Sequence, residues 1–214
     1  AHLPERFMPQ RRIADHDLPS SADKLSMLHI SIAQLSPAGY RYIGMDHLAL
    51  PDDELAIAQE EGKLQRNFQG YTTHGHCDLI GLGVSAISQV DGLYCQNNSD
   101  LNLYQQALGN DQLATKRGLH CNADDLVRRA VIQQLICHFQ LDFADIERGY
   151  GIDFQHYFSD VWPRLQQMAR DGLIELTQQS INVLPSGRLL VRALCMLFDS
   201  YLSEQSQQRF SRVI

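Results

Sequence analysis

Residues 39–88 constrain this fold more than any other stretch, because the hydrophobic pattern there switches between strand and helix periods. Tyr40, Tyr42 and Ile43 are β-formers, and the polar group Gly44-Met45-Asp46-His47 closes their run. Pro51 followed by Asp52, Asp53 and Glu54 predicts a helix start, with acids where the dipole is positive. Leu55 and Ala58 give it an apolar side, and Gly62 stops it. Leu79-Ile80-Gly81-Leu82-Gly83-Val84 is then a nearly continuous apolar run, the pattern of a strand buried on both faces. Its two glycines leave backbone bare for the close approach of a ligand.

A helix over residues 20–35 precedes this stretch, with Ser20 or Ser21 as N-cap and Asp23 in the first turn. Leu25, Leu28, Ile32 and Leu35 recur at spacings of three and four, which predicts one buried stripe. Helix, strand, helix, strand is the rhythm of a parallel α/β sheet. Two or three strands cannot close a barrel, so residues 1–96 read as the last units of a larger α/β domain.

Residues 97–214 read differently. Asn122, with Asp125 three residues on, opens a helix to about residue 139 whose buried side carries Leu126, Ala130, Leu135 and Phe139. A short helix precedes it near residues 100–107, another follows over 143–148, and the pattern is helical again over 154–170. Pro163 fits best as the first residue of a new helix. The period then becomes that of a β-hairpin over residues 173–184, and Pro185-Ser186-Gly187 leads into a final helix through Tyr201. The fold class is therefore α/β followed by mostly α, ending in a helical, winged-helix-like domain with a small hairpin. The polar tail from Ser203 reads as surface.

Composition narrows the function classes. The chain is 44% hydrophobic and 20% charged, ordinary for a globular protein, and no apolar run approaches the roughly 18 residues that span a bilayer. Its net charge of −7 provides no general attraction for phosphate backbones. Five scattered cysteines, Cys77, Cys95, Cys121, Cys137 and Cys195, suit reduced thiols in a cytoplasmic protein. The nearest two are 16 positions apart, so none forms a cluster-binding loop and no metal ligand set is assigned. The opening residue, Ala1, with no targeting pattern behind it, suggests a truncated chain.

Several motifs admit a chemical and a structural reading. His74-Gly75-His76-Cys77-Asp78 is dense in metal-type ligands but lacks a distant partner pair, and a surface role fits better. Asp46 and His47 could orient a ligand at a strand end or make an ordinary strand-end hydrogen bond. Asp52, Asp53 and Glu54 suit a first helical turn better than paired-carboxylate chemistry. Arg128, Arg129, Gln133 and Gln134 on the helix after Asn122 would suit a DNA-reading helix, yet Asp124 and Asp125 open it. Nucleic-acid binding is thus the rival reading, and a packing module is a third.

The string YIGMDHLALPDDELAIAQEEGKLQRNFQGYTT resembles oxygen-independent coproporphyrinogen III oxidases, radical S-adenosylmethionine enzymes of haem biosynthesis. The resemblance continues through GVSAIS, ADDLVRRAVIQQLICHF, LLVRALCMLFDSYL and FSRVI, and matches the C-terminal half of such enzymes. It implies a part of an incomplete radical S-adenosylmethionine barrel in residues 1–96 and a covering domain in 97–214. It implies a full-length enzyme with a [4Fe–4S] cluster and two molecules of S-adenosylmethionine, the cluster ligands lying outside this chain. An electron from the cluster would cleave the cofactor, and the resulting radical would take a β-hydrogen from a propionate of coproporphyrinogen III. Loss of carbon dioxide and one electron leaves a vinyl group, and two such events give protoporphyrinogen IX. External electron donors and acceptors, a monomeric full-length protein, no nucleic acid and no membrane are further implications. Two cofactor contacts map here: Ile87, through its backbone, and Ala1. Arg66, in RNFQGYT, becomes a candidate partner for a substrate carboxylate. The chain alone is expected to be inactive, and a haem-handling paralogue is the alternative within the family.

Overall fold

The computed structural model describes residues 2, 4–5 and 8–202. Ala1, the tail from Ser203 and the FSRVI segment lie outside the described residues. Two short 3-10 turns, Met8–Arg12 and Asp15–Asp17, lead into α1 (Ser21–Leu35). Ser20 caps it reciprocally: the Asp23 N–H donates to Ser20 Oγ and the Ser20 N–H donates to Asp23 Oδ2. The buried stripe expected on α1 is not found. No residue of the helix is buried and Leu25 is 38% exposed. Leu28, Ile32 and Leu35 of the stripe are half-buried and join neither apolar cluster of the core.

The parallel rhythm is also corrected. β1 (Arg41–Gly44) turns back at once through Met45, in the left-handed region at φ 57°, and pairs antiparallel with β2 (His47–Ala49). α2 (Glu54–Glu60) follows, capped by Asp53, whose Oδ1 accepts from the Leu55 N–H. β3 (Gln65–Asn67) and β4 (Gly70–Thr72) form a second antiparallel hairpin. Turns this tight can only join antiparallel strands, and every pairing among the described strands is antiparallel.

The apolar run at 79–84 is a loop rather than a doubly buried strand. Leu79 makes one isolated antiparallel bridge to Gln89, whereas Ile80 is 71% and Leu82 87% exposed. The strand expected there starts later, as β5 (Ile87–Val90), which pairs with β6 (Leu93–Asn97). After α3 (Leu101–Gly109), β7 (Thr115–His120) completes this three-stranded sheet in the order β5-β6-β7. The sheet therefore runs across residue 97.

α4 (Ala123–His138) is the spine of the molecule. Asn122 and Asp125 form the capping box that their spacing predicts. Past Phe139, in the left-handed region, come β8 (Gln140–Asp142), α5 (Phe143–Tyr150), α6 (Phe154–Tyr157) and α7 (Trp162–Arg170), with Pro163 in the first turn of α7. β9 (Ile174–Leu176) and β10 (Ser180–Val183) form the expected hairpin, and β8 joins it as a third strand in the order β8-β10-β9. The final helix is two short pieces, α8 (Pro185–Arg188) and α9 (Val191–Met196), rather than one run to Tyr201.

Two apolar clusters meet on α4. The larger takes Val127, Val131 and Leu135, one turn apart along the helix, against Phe154, Phe158 and Phe198. Leu126 and Ala130, read as core, are only half-buried. The smaller cluster packs Ile43, Ala56 and Leu64 against Cys137 on the other side of α4. This pins the hairpins of the first half of the chain to the helices of the second.

Candidate functional site

The glycine segment and β5 form one wall. Asn97 Nδ2 donates to the carbonyls of Gly81 and Gly83 at 3.2 and 3.0 Å. The Gly81 N–H donates to Ser88 Oγ, and the Gly83 N–H to the Tyr104 hydroxyl. Side chains from β5, β6 and α3 thus hold the loop in place of a strand ladder. The apolar side chains of Ile80 and Leu82 face outward from it.

Ile87 occupies a particular place in this wall. Gln89, two residues on, exchanges both backbone hydrogen bonds with Leu79 at 2.7 Å, on the edge of β5 away from β6. Residues two apart in a strand direct their backbone groups the same way. The N–H and C=O of Ile87 therefore also face that edge, where Gly81 lies. A Cβ on Gly81 would come within 2.8 Å of the Ile87 carbonyl oxygen and 3.0 Å of its nitrogen. Only glycine lets the loop approach this closely. The Ile87 side chain is half-buried.

Arg66, on β3, lies on a second wall. Its N–H donates to Gln133 Oε1 at 3.1 Å, and Gln133 Nε2 donates back to the Arg66 carbonyl, which fastens β3 to α4. Its guanidinium stacks over the Tyr71 ring, 4.7 Å from the centroid. Burial pushes the Tyr71 hydroxyl well above its ordinary range, so it stays protonated and donates to the Ile136 carbonyl.

The remaining candidates have structural places. Asp46 and His47 sit at the β1–β2 turn, where the His47 ring meets Tyr71 edge-on at 5.2 Å. Asp53 is a helix cap, and Asp52 and Glu54 are exposed beside it. His74 Nδ1 lies 2.9 Å from Thr73 Oγ1, and Asp78 Oδ1 accepts from the Asp91 N–H. Among the described residues, no group of three or more His, Cys, Asp or Glu is placed to hold a metal. All five cysteines are free, and burial raises the thiols of Cys137 and Cys195 to about 12.

The face of α4 weighed for DNA reading is engaged within the molecule. Arg128 donates to Asp124 Oδ2 at 2.8 Å and to the Phe198 carbonyl. Arg129 donates to the Tyr94 hydroxyl at 3.3 Å, and Gln133 holds Arg66. Gln134 alone of the four is exposed. The role of Gln133 in joining two elements was not visible in the sequence, because its partner is a backbone rather than a motif.

A family model described as the HemN C-terminal domain matches residues 121–190. Over its whole length the chain is 69% identical to an oxygen-independent coproporphyrinogen III oxidase of Pseudomonas aeruginosa, covering 46% of that protein. The protein of the same name from Escherichia coli is 50% identical and 47% covered, and that of Thermostichus vulcanus is 44% identical and 66% covered. A solved structure, reported as coproporphyrinogen III oxidase (HemN) from Escherichia coli and as a radical SAM enzyme, matches with a TM-score of 0.89 at 50% identity. That match covers 94% of this chain and 46% of the other. The chain spans about half the length of most of these curated relatives.

Proposed function

This chain belongs to the oxygen-independent coproporphyrinogen III oxidase family, and we propose that it supplies the cofactor-facing wall and the covering domain of such an enzyme. In this reading the full-length protein oxidatively decarboxylates two propionates of coproporphyrinogen III to vinyl groups, releasing carbon dioxide and passing electrons to an external acceptor. A cytoplasmic location, external redox partners and a monomeric full-length protein complete the reading. The free, mostly buried thiols suit that location.

The described residues do not fit a [4Fe–4S] cluster. Cys121, Cys137 and Cys195 are buried and no three thiols are grouped among the described residues, so no step is assigned to a cluster on this chain. For S-adenosylmethionine we infer a contact at the backbone of Ile87, whose N–H and C=O turn away from β6 toward the edge that side-chain-free Gly81 closes from one side. This single observation carries the proposal. When bound, that cofactor supplies the radical that takes hydrogen from the propionate. The chain's own part is to orient the cofactor at Ile87 and to keep water away with the α4–β10 domain. Ala1 as a second contact, and a second cofactor molecule, belong to the same proposal.

The arrangement α4–β8–α5–α6–α7–β9–β10, three strands flanking a helical group, supports a winged-helix-like architecture. We also propose that the chain divides in sequence near residue 97, with α1 and β1 as barrel-derived elements, although the β5-β6-β7 sheet bridges that point. The internal hydrogen bonds of Arg128, Arg129 and Gln133 speak against the nucleic-acid alternative.

Ile87→Pro tests the wall directly. Proline removes the Ile87 N–H, which faces the cofactor edge, and no β6 ladder bond. In the full-length protein it should weaken S-adenosylmethionine binding by about tenfold or more, whereas Ile87→Val should leave it nearly unchanged. Equal affinity for both variants sinks the assignment. Measurable S-adenosylmethionine cleavage by this chain alone would contradict the division of labour.

A further inference from the structure

The backbone bonds exchanged by Leu79 and Gln89 are one hydrogen-bonded rung of an antiparallel ladder. Such rungs recur every second residue, so the next would join Gly81 to Ile87. That rung is not made: among the described residues no hydrogen bond links the two. In a ladder, side chains stand roughly perpendicular to the sheet. A Cβ on Gly81 would instead point at the Ile87 backbone, 2.8 Å from its carbonyl oxygen and 2.9 Å from its carbonyl carbon. Gly81 is therefore in register with Ile87 but turned out of the pairing.

The groups that would complete the rung are taken by side chains. The Gly81 N–H donates to Ser88 Oγ at 3.0 Å, and the Gly81 carbonyl accepts from Asn97 Nδ2 at 3.2 Å. Asn97 is itself fixed, because its backbone N–H donates to the Ala86 carbonyl at 2.9 Å and its amide also holds the Gly83 carbonyl. Gly81 carries no side chain to block the turn back, and Leu79 already stands in register two residues before it. Ser88 and Asn97 are thus what separates the loop from a closed ladder. The result is a donor and an acceptor on half-buried Ile87 that the described residues leave unpaired on this edge. Backbone groups in such places are seldom left without a partner.

We propose that Asn97 and Ser88 are positioning residues that withhold Gly81 from Ile87, keeping the Ile87 N–H and C=O open for S-adenosylmethionine, an inference that rests on the cofactor contact inferred above. Without the Asn97 amide the Gly81 carbonyl returns to the Ile87 N–H, the rung closes, and the cofactor competes with the protein's own backbone. Its apparent affinity then falls with the fraction of molecules left open. Hydrogen exchange read residue by residue in the full-length protein tests this, beside S-adenosylmethionine titrations and thermal unfolding as the check on folding. In cofactor-free wild type the Ile87 amide should exchange fast next to slow Ser88 and Gln89 amides, and S-adenosylmethionine should slow it. In Asn97→Ala the Ile87 amide should be slow without cofactor, and S-adenosylmethionine should bind about tenfold more weakly. A role confined to tethering the loop would leave that amide as fast as in wild type. Asn97→Asp, equal in size but without the donors, gives the same readouts should the alanine variant not fold. If neither folds, the wild-type amides decide. An Ile87 amide already slow in cofactor-free wild type, or fast in both variants, overturns the proposal. A slow Ile87 amide in the variants with unchanged S-adenosylmethionine affinity sustains the withheld rung and removes the cofactor from Ile87, so the two layers fail separately.

Discussion

His138 ends α4 half-buried beside Leu64 and Gln59, and burial holds its imidazole below the ordinary histidine range, against the opposing pull of their backbone groups. A histidine whose folded pKa is depressed makes no difference where both states are neutral. As the pH falls below about 6.5, the unfolded chain takes up the proton first, so stability falls until the folded-state pKa is also passed. Wild type should therefore lose urea-unfolding stability between pH 7 and mildly acidic pH more steeply than His138→Gln. Parallel profiles would show that His138 is more solvated than its surroundings imply. Gly44 is a second position decided by its neighbour: at φ 149° it lies under Tyr71, and any Cβ would collide with the Tyr71 hydroxyl. Neither environment can be read from adjacent residues, because Leu64 and Tyr71 arrive from other elements.

Elements were legible where their signals are local. Ser20 with Asp23 and Asn122 with Asp125 write two capping boxes, and both helices start where those residues put them. The run at 79–84 was misread because an apolar count is blind to tethers from afar. Asn97 holds two carbonyls of the segment, and Tyr104 holds Gly83. Asn97→Ala should cost about 1 kcal/mol and speed amide exchange over residues 81–86 while leaving α4 unaffected. Exchange unchanged in that loop would mean that Ser88 and Tyr104 suffice. β8 escaped notice for the opposite reason. Three residues carry no period, and the strand exists because Ser180, Ile181 and Asn182 pair with it. The final helix breaks into α8 and α9, although the pattern over 185–201 is continuous.

At the scale of the whole molecule, stability is centred on the aromatic cluster under α4. Phe158 lies 4.8 Å from Phe154 and 5.1 Å from Phe198, ring to ring, with the Arg128 guanidinium over its own ring. Phe158→Ala should cost about 3–5 kcal/mol in urea unfolding, whereas Leu82→Ser, on the open loop, should stay within about 0.5 kcal/mol. Comparable losses would mean that the exposed loop packs in solution. The candidate site was partly legible: GVSAIS contains Ile87 and RNFQGYT contains Arg66, but Arg129 and Gln133 stood only as surface-facing candidates on a helix. By itself the sequence determined the helix starts, the hairpin of β9 and β10 and the family of the chain, because caps, turn residues and long shared strings are written in neighbouring positions. Only the tertiary structure decided that the strands pair antiparallel, that the glycine segment is a tethered loop and that Gln133 fastens β3 to α4. Those outcomes depend on contacts between residues far apart in the chain, whose geometry no local pattern encodes.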